Sequence, residues 1–207
     1  KQAGAFSAAA RQAFAQAGFT VQSTRLATVP FPEIMPELTQ ANLNRLAQQF
    51  EKLIRELDFE YVSLGPALPE TPQAYGLIPG MLAETENIFV SGKMTTSGGG
   101  VSLPAVRACA EVIYRSAPLT PDGFANLRFT ALGNVPPGAP FFPAAYHRGD
   151  TPAFAVAMQA ADLAVQAFDG TSSLEAARRE LVWQVEEAAG GLAAVAHELS
   201  GKFNLPF

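Results

Sequence analysis

A single cysteine, Cys109, stands among 207 residues, and this excludes an internal disulfide framework and any cysteine-built zinc module. The two histidines, His147 and His197, are far apart in the chain and leave no strong metal-ligand spacing; His147 with Asp150 is a weak signal for a hard cation, and no metal is expected. Charge is sparse: 16% of residues are Asp, Glu, Lys or Arg, against ~25% in an average domain. The net charge is −5, so no basic excess exists to neutralise phosphates and no nucleic-acid partner is expected. No uninterrupted apolar run reaches the ~18 residues needed to span a bilayer, and no membrane partner is expected. A Gly-x-Ser-x-Gly elbow is missing, and so is a Gly-Lys-Ser/Thr run before a helix; neither a hydrolase triad nor a P-loop has support. No cofactor is predicted. A cytoplasmic location fits this composition.

What the chain does contain is apolar. Hydrophobic residues make up 48%, which excludes a disordered chain and exceeds what a free-standing domain of this size usually buries. The expected partners are therefore a second copy or a missing second half of the chain. The sequence opens on Lys1-Gln2-Ala3-Gly4 without a methionine and closes on the apolar run Phe203–Phe207. Both ends look cut, so residues 1–207 are expected to form one partial α/β barrel domain, a fragment truncated at both ends.

Helices alternate with strands along the chain. Phe6, Ala10, Ala13, Phe14 and Ala17 keep helical spacing up to Gly18, a stop signal. Phe19–Thr28 is rich in β-branched residues and predicts a strand. Thr39 caps a predicted amphipathic helix running to Leu57, and Glu60–Gly65 predicts the next strand. A short helix over Pro72–Glu84 and a strand over Asn87–Ser91 follow. Ser102-Leu103-Pro104 reads as a cap with proline in the first turn of a helix to about Ser116. Asn126–Leu132 predicts a fourth strand. Helices are expected over Pro152–Phe168 and over Ser173–Leu199, the last bent at Gly190-Gly191. This alternation predicts βα units and a parallel sheet. The opening helix implies a further strand before Lys1, five in all.

Buried parallel strands usually read as continuous apolar runs. Here one face alternates with polar residues: Val62, Leu64, Ile88, Val90, Phe129 and Ala131 oppose Tyr61, Ser63, Asn87, Ser91, Arg128 and Thr130. A polar face points to a wet lumen or ligand cavity; a covering polar segment or open solvent are the other readings. The long loop Gly133–Asp150 holds four prolines and leaves the C-terminal end of a strand, where ligands bind in α/β folds. On it His147 is a candidate general acid or base, against a plain structural hydrogen bond, and Asn134 and Tyr146 are candidate donors. Arg128 would hold a carboxylate or phosphate, and Ser63, Ser91 and Asn134 would orient it. The segment Ser91–Gly100 is either an anion cradle or a flexible loop. Cys109 reads as a small hydrophobe, and His197 as a surface residue. The expected ligand is a small polar or anionic molecule. An enzyme is favoured, with a non-catalytic ligand sensor or oligomeric scaffold as the rival.

The run Asn126-Leu127-Arg128-Phe129 and the Pro-rich stretch Asn134–His147 resemble the domain of unknown function 711 group, also called pyruvate formate-lyase-like (PFL-like). Val62-Ser63-Leu64-Gly65-Pro66, Phe154-Ala155-Val156 and Ala161-Asp162-Leu163 extend the likeness over nearly all of the chain. The resemblance implies parallel βα units forming half of a glycyl-radical-enzyme-like ten-stranded barrel. It does not carry radical chemistry with it. No glycyl radical motif is present, and Cys109 is predicted on a helix rather than on a hairpin tip.

Overall fold

A computed structural model describes residues 2–169 and 171–207. The chain divides into two compact units: residues 1–7 with 22–151, and residues 8–21 with 152–207. Among the described residues no helix is long and apolar enough to cross a membrane.

The first unit holds a parallel four-stranded sheet in the order β1-β2-β3-β4. The strands are β1 (Arg25–Ala27), β2 (Tyr61–Ala67), β3 (Ile88–Lys93) and β4 (Phe129–Leu132). Helix α1 (Gln2–Gln16) opens the chain, and its first turns belong to this unit. The crossovers are α2 (Phe31–Ile34) with α3 (Gln40–Leu57), then α4 (Gln73–Ala83), then α5 (Leu103–Ser116). Right-handed crossovers that always step the same way put every helix on one face of the sheet. That face carries Val62, Leu64, Ile88, Val90 and Phe129, packed with Leu43, Ala47 and Ile54 of α3, Tyr75, Ile78 and Leu82 of α4, and Cys109 and Val112 of α5.

The helix signals read from sequence are met by geometry. The Thr39 side chain accepts from the Asn42 N–H at 3.3 Å, and Ser102 from the Ala105 N–H at 3.3 Å. Asp58 closes α3 in the left-handed region.

Three expectations fail, two because a contact close in sequence overrides the pattern and one because a distant contact does. The first strand shrinks to Arg25–Ala27. After Gly18 the Phe19 N–H turns back to the Phe14 carbonyl at 2.9 Å, and the two rings meet at 6.5 Å, so residues 19–24 leave the strand path. The fourth strand begins only at Phe129, because Phe124–Arg128 is a 3-10 helix. Asp122 accepts from the Phe124 N–H and Thr120 from the Ala125 N–H, so turn chemistry around Gly123 beats β-alternation. Residues 152–160 are not helical, since the Phe154 N–H donates to the Pro206 carbonyl and its ring stacks on Phe207 at 5.2 Å.

The second unit consists of the rest of α1, α6 (Ala161–Asp169) and α7 (Leu174–Phe203). Ser173 caps α7 by accepting the Ala176 N–H. The helix continues through Gly190-Gly191 to Phe203. A Cβ on Gly191 would come within 2.9 Å of the Phe19 ring.

Candidate functional site

The sheet face opposite the helices is set by register. Arg25 pairs with Tyr61, Ala27 with Ser63, Ser63 with Phe89, and Ser91 with Thr130. Paired residues of parallel strands share a face, so Arg25, Tyr61, Ser63, Phe89, Ser91 and Thr130 lie together. Lys93 joins them two residues beyond Ser91. The intervening Gly92 confirms the parity: a Cβ there would meet Cys109 Sγ at 2.8 Å and the Tyr75 ring at 3.0 Å, both on the helix side.

This face has two zones. Toward the strand N-termini lies an aromatic patch. Tyr61 and Phe89 meet edge-on at 5.1 Å, Phe89 and Phe142 at 5.6 Å, and the Arg25 guanidinium lies 5.3 Å from the Phe142 ring centre. Toward the C-termini Ser63, Ser91, Thr130 and Lys93 share the face with Pro66 and Leu132, the partners of Ser91 and Lys93. Phe142 belongs to the loop 133–151, which leaves β4 at one edge and reaches β1 at the other. There the His147 N–H donates to the Thr28 carbonyl at 2.9 Å. The loop thus crosses the face.

Ser63 and Ser91 are fully buried, and among the described residues neither hydroxyl has a hydrogen-bond partner. A buried polar group without a partner costs ~1–3 kcal/mol, so native structures keep few of them. Ser7 and Ser116 also have unpartnered hydroxyls, but both lie on helices, where a small rotation reaches a carbonyl of the preceding turn. The strand serines sit beside carbonyls already committed to the ladder; that of Ser63 accepts the Thr28 N–H at 2.9 Å. Next to Ser63, β2 shifts register between Ser63 and Pro66. Gly65 takes φ +69° there, and a Cβ would stand 2.6 Å from the Val29 carbonyl oxygen. Only glycine lets β2 bulge this close to the chain leaving β1.

His147 is half-buried, and among the described residues its ring makes no hydrogen bond or ion pair. Its backbone is tied through Thr28 to Ser63, two interstrand spacings or about 10 Å away. Tyr146 is buried and already employed. Its hydroxyl donates to the Val135 carbonyl at 2.9 Å while its own carbonyl accepts from Gly138, pinning the two legs of the loop together. Burial raises the Tyr146 pKa, with Arg148 pulling the other way. Asn134 is an exposed left-handed turn residue at φ 57°, a conformation asparagine tolerates.

Arg128 is not part of this cluster. Arg128 precedes β4 and points to the helix side. Its guanidinium donates to the Thr85 carbonyl at 2.7 Å and to the Leu82 carbonyl at 2.5 Å, closing the C-terminal turn of α4. Burial lowers its pKa, opposed by the Glu51 and Glu86 carboxylates. It clasps a helix end instead of lining the polar face. The alternation rule misplaced it because it assumed a strand where a 3-10 turn forms. Asn87 precedes β3 as well, and its N–H donates to Glu51 at 2.7 Å. The segment Ser91–Gly100 is not a loose loop. Thr95 bridges Val101, the Thr96 and Gly99 N–H groups bond within the turn, and the Ser97 N–H donates to the Glu70 carboxylate. Lys93 was missed as a site residue because its segment was read as loop; strand alternation from Ser91 carries the signal.

Cys109 packs on the helix side. Its thiol donates to the Gly92 carbonyl at 3.5 Å, and burial pushes its pKa up to about 11. His197 is exposed, with Nδ1 2.7 Å from the Ala193 carbonyl oxygen.

The model of the Uncharacterised ACR (DUF711) family matches residues 1–207. The chain belongs to the DUF711 family. A UPF0210 protein of Carboxydothermus hydrogenoformans is 23% identical over 138 residues, 63% of this chain and 30% of the relative. One from Syntrophotalea carbinolica is 24% identical over the same shares, and one from Neisseria gonorrhoeae 22% identical over 68% of this chain and 32% of its own. This DUF711 chain therefore spans about a third of the length of the curated relatives it matches.

Proposed function

We propose that the loop-covered face of the sheet binds a small polar or anionic molecule, and that the protein is an enzyme acting on it. The observation that carries this reading is the pair of fully buried Ser63 and Ser91 hydroxyls without partners on neighbouring strands. Lys93 supplies the positive charge that Arg128 was expected to give. His147, with its ring uncommitted among the described residues, is the group suited to proton transfer. Tyr146 and Asn134 serve indirectly, by holding the loop's shape.

In fold terms, we read the sheet as an arc of a larger barrel of the PFL-like kind. Support comes from the strand order β1-β2-β3-β4 with the crossover helices and their core on one side and a mixed aromatic and polar face on the other. A doubly wound sheet reverses direction and carries helices on both faces. Radical chemistry at Cys109 is not part of the reading, since this thiol packs in the helix-side core against the Gly92 carbonyl, away from the loop-covered face.

The test is native mass spectrometry of the purified chain, followed by denaturation and identification of what is released. A stoichiometric anionic small molecule on the wild type, missing from the Ser63→Ala/Ser91→Ala double variant, is expected. An empty wild type, or the same molecule retained by the double variant, overturns the proposal. With that molecule as substrate, His147→Ala should keep binding and lose ~10²–10⁴-fold in turnover. Unchanged behaviour would make the protein a sensor or scaffold.

A further inference from the structure

Helix α7 carries an exposed face that nothing in its own unit uses. Glu175, Arg179, Val182, Trp183, Glu186 and Gly190 are all exposed, with Val182 at 48% and Trp183 at 58%. At about 100° per residue these six fall within roughly 50° of a single line along the helix. The pattern is symmetric about the midpoint between Val182 and Trp183. Arg179 lies as far before that midpoint as Glu186 lies after it. Arg178 reinforces the basic side and Glu187 the acidic side, both exposed. Among the described residues none of these four charges makes an ion pair.

Such a pattern is self-complementary. A two-fold axis beside the midpoint lays a second α7 antiparallel on the first. Each Arg179 then faces the other copy's Glu186, so the charge pair forms twice, and the two Trp183 rings meet next to the axis. A parallel, in-register pair would instead set Arg179 against Arg179. We propose that two copies of this chain associate through α7 in this antiparallel arrangement.

Gly190 adds a separate argument. Glycine weakens a helix interior, and a Cβ on Gly190 would meet nothing within 4 Å in its own chain. The antiparallel pairing gives the residue a use, because Gly190 sits opposite the partner's Glu175 end, where close approach matters. Tryptophan at the centre with charge at the rim is the arrangement in which one side chain dominates an interface.

Sedimentation velocity on the whole chain tests this. The wild type should show a concentration-dependent dimer, and Trp183→Ala should weaken it by ~30-fold or more. Arg179→Glu and Glu186→Arg should each abolish self-association, while circular dichroism shows unchanged helix content. An equimolar mixture of the two charge variants should dimerise again, since both cross-pairs become opposite in sign. A wild type that stays monomeric at every concentration overturns the proposal. So does a dimer indifferent to charge reversal, or a mixture that does not recover.

Discussion

On the helix-covered side of the sheet, polar side chains are answered by backbone. Tyr75 donates to the Lys93 carbonyl, Cys109 to that of Gly92, Arg128 to those of Thr85 and Leu82, and Glu51 accepts from Glu86 and Asn87. On the loop-covered side, Ser63 and Ser91 are as deeply buried and have no answer. The two faces are made by the same four strands, so the difference lies in what each was shaped to meet. One face meets helices of its own chain, where the Tyr75, Cys109, Arg128 and Glu51 side chains all find backbone partners. The other leaves two donors open, which costs stability unless a molecule from outside pairs with them.

The contrast predicts opposite responses to mutation. The largest effect should come from Arg128→Ala, which strips the donors from two buried carbonyls. A loss of about 3 kcal/mol is expected, read as a lower denaturant midpoint at unchanged slope. A negligible loss would mean that Arg128 is not the clasp of α4. Gly92→Ala should follow at about 2 kcal/mol, because the new Cβ is 2.8 Å from Cys109 Sγ in a filled core. Across the sheet the sign should reverse. Ser63→Ala and Ser91→Ala each remove an unpaired hydroxyl and should stabilise the ligand-free protein by about 1 kcal/mol, a rise of ~2–4 °C in Tm. Lower stability in either variant would show that the hydroxyls are satisfied in solution.

The smallest effect concerns Cys109. Its folded pKa of about 11 lies above the ordinary thiol value of 9.0, so folding favours the thiol. That contribution is whole below pH 9 and is lost as the pH rises through about 11. Cys109→Ala should flatten the stability profile in that window, and the native thiol should resist labelling at neutral pH. Rapid labelling would place Cys109 outside the packed face.

Much of this division was legible in the residues. The caps Thr39 and Ser102, the apolar stripe of α3 and the βα alternation all mark structure fixed within a few neighbours. Strand parity correctly grouped Tyr61, Ser63, Ser91 and Thr130. It failed at Arg128 because parity holds only inside a strand, and Thr120 and Asp122 had already turned the chain. Residues 152–160 fooled helix propensity because the Pro206 carbonyl, distant in sequence, takes the Phe154 N–H. Tyr146 was legible as important but not in its job. A tyrosine in a long loop looks like a donor to a ligand, and only the fold shows its hydroxyl spent on Val135.

The most direct measurement is the thermal unfolding midpoint of the wild type and of the Ser63→Ala/Ser91→Ala double variant, each with and without phosphate, sulfate or succinate. The account predicts that without added anion the double variant unfolds at the higher temperature. It also predicts that at least one of the anions raises the midpoint of the wild type and leaves that of the double variant unchanged. A double variant less stable than the wild type, a wild type that none of the three anions shifts, or an equal shift in both proteins would contradict it.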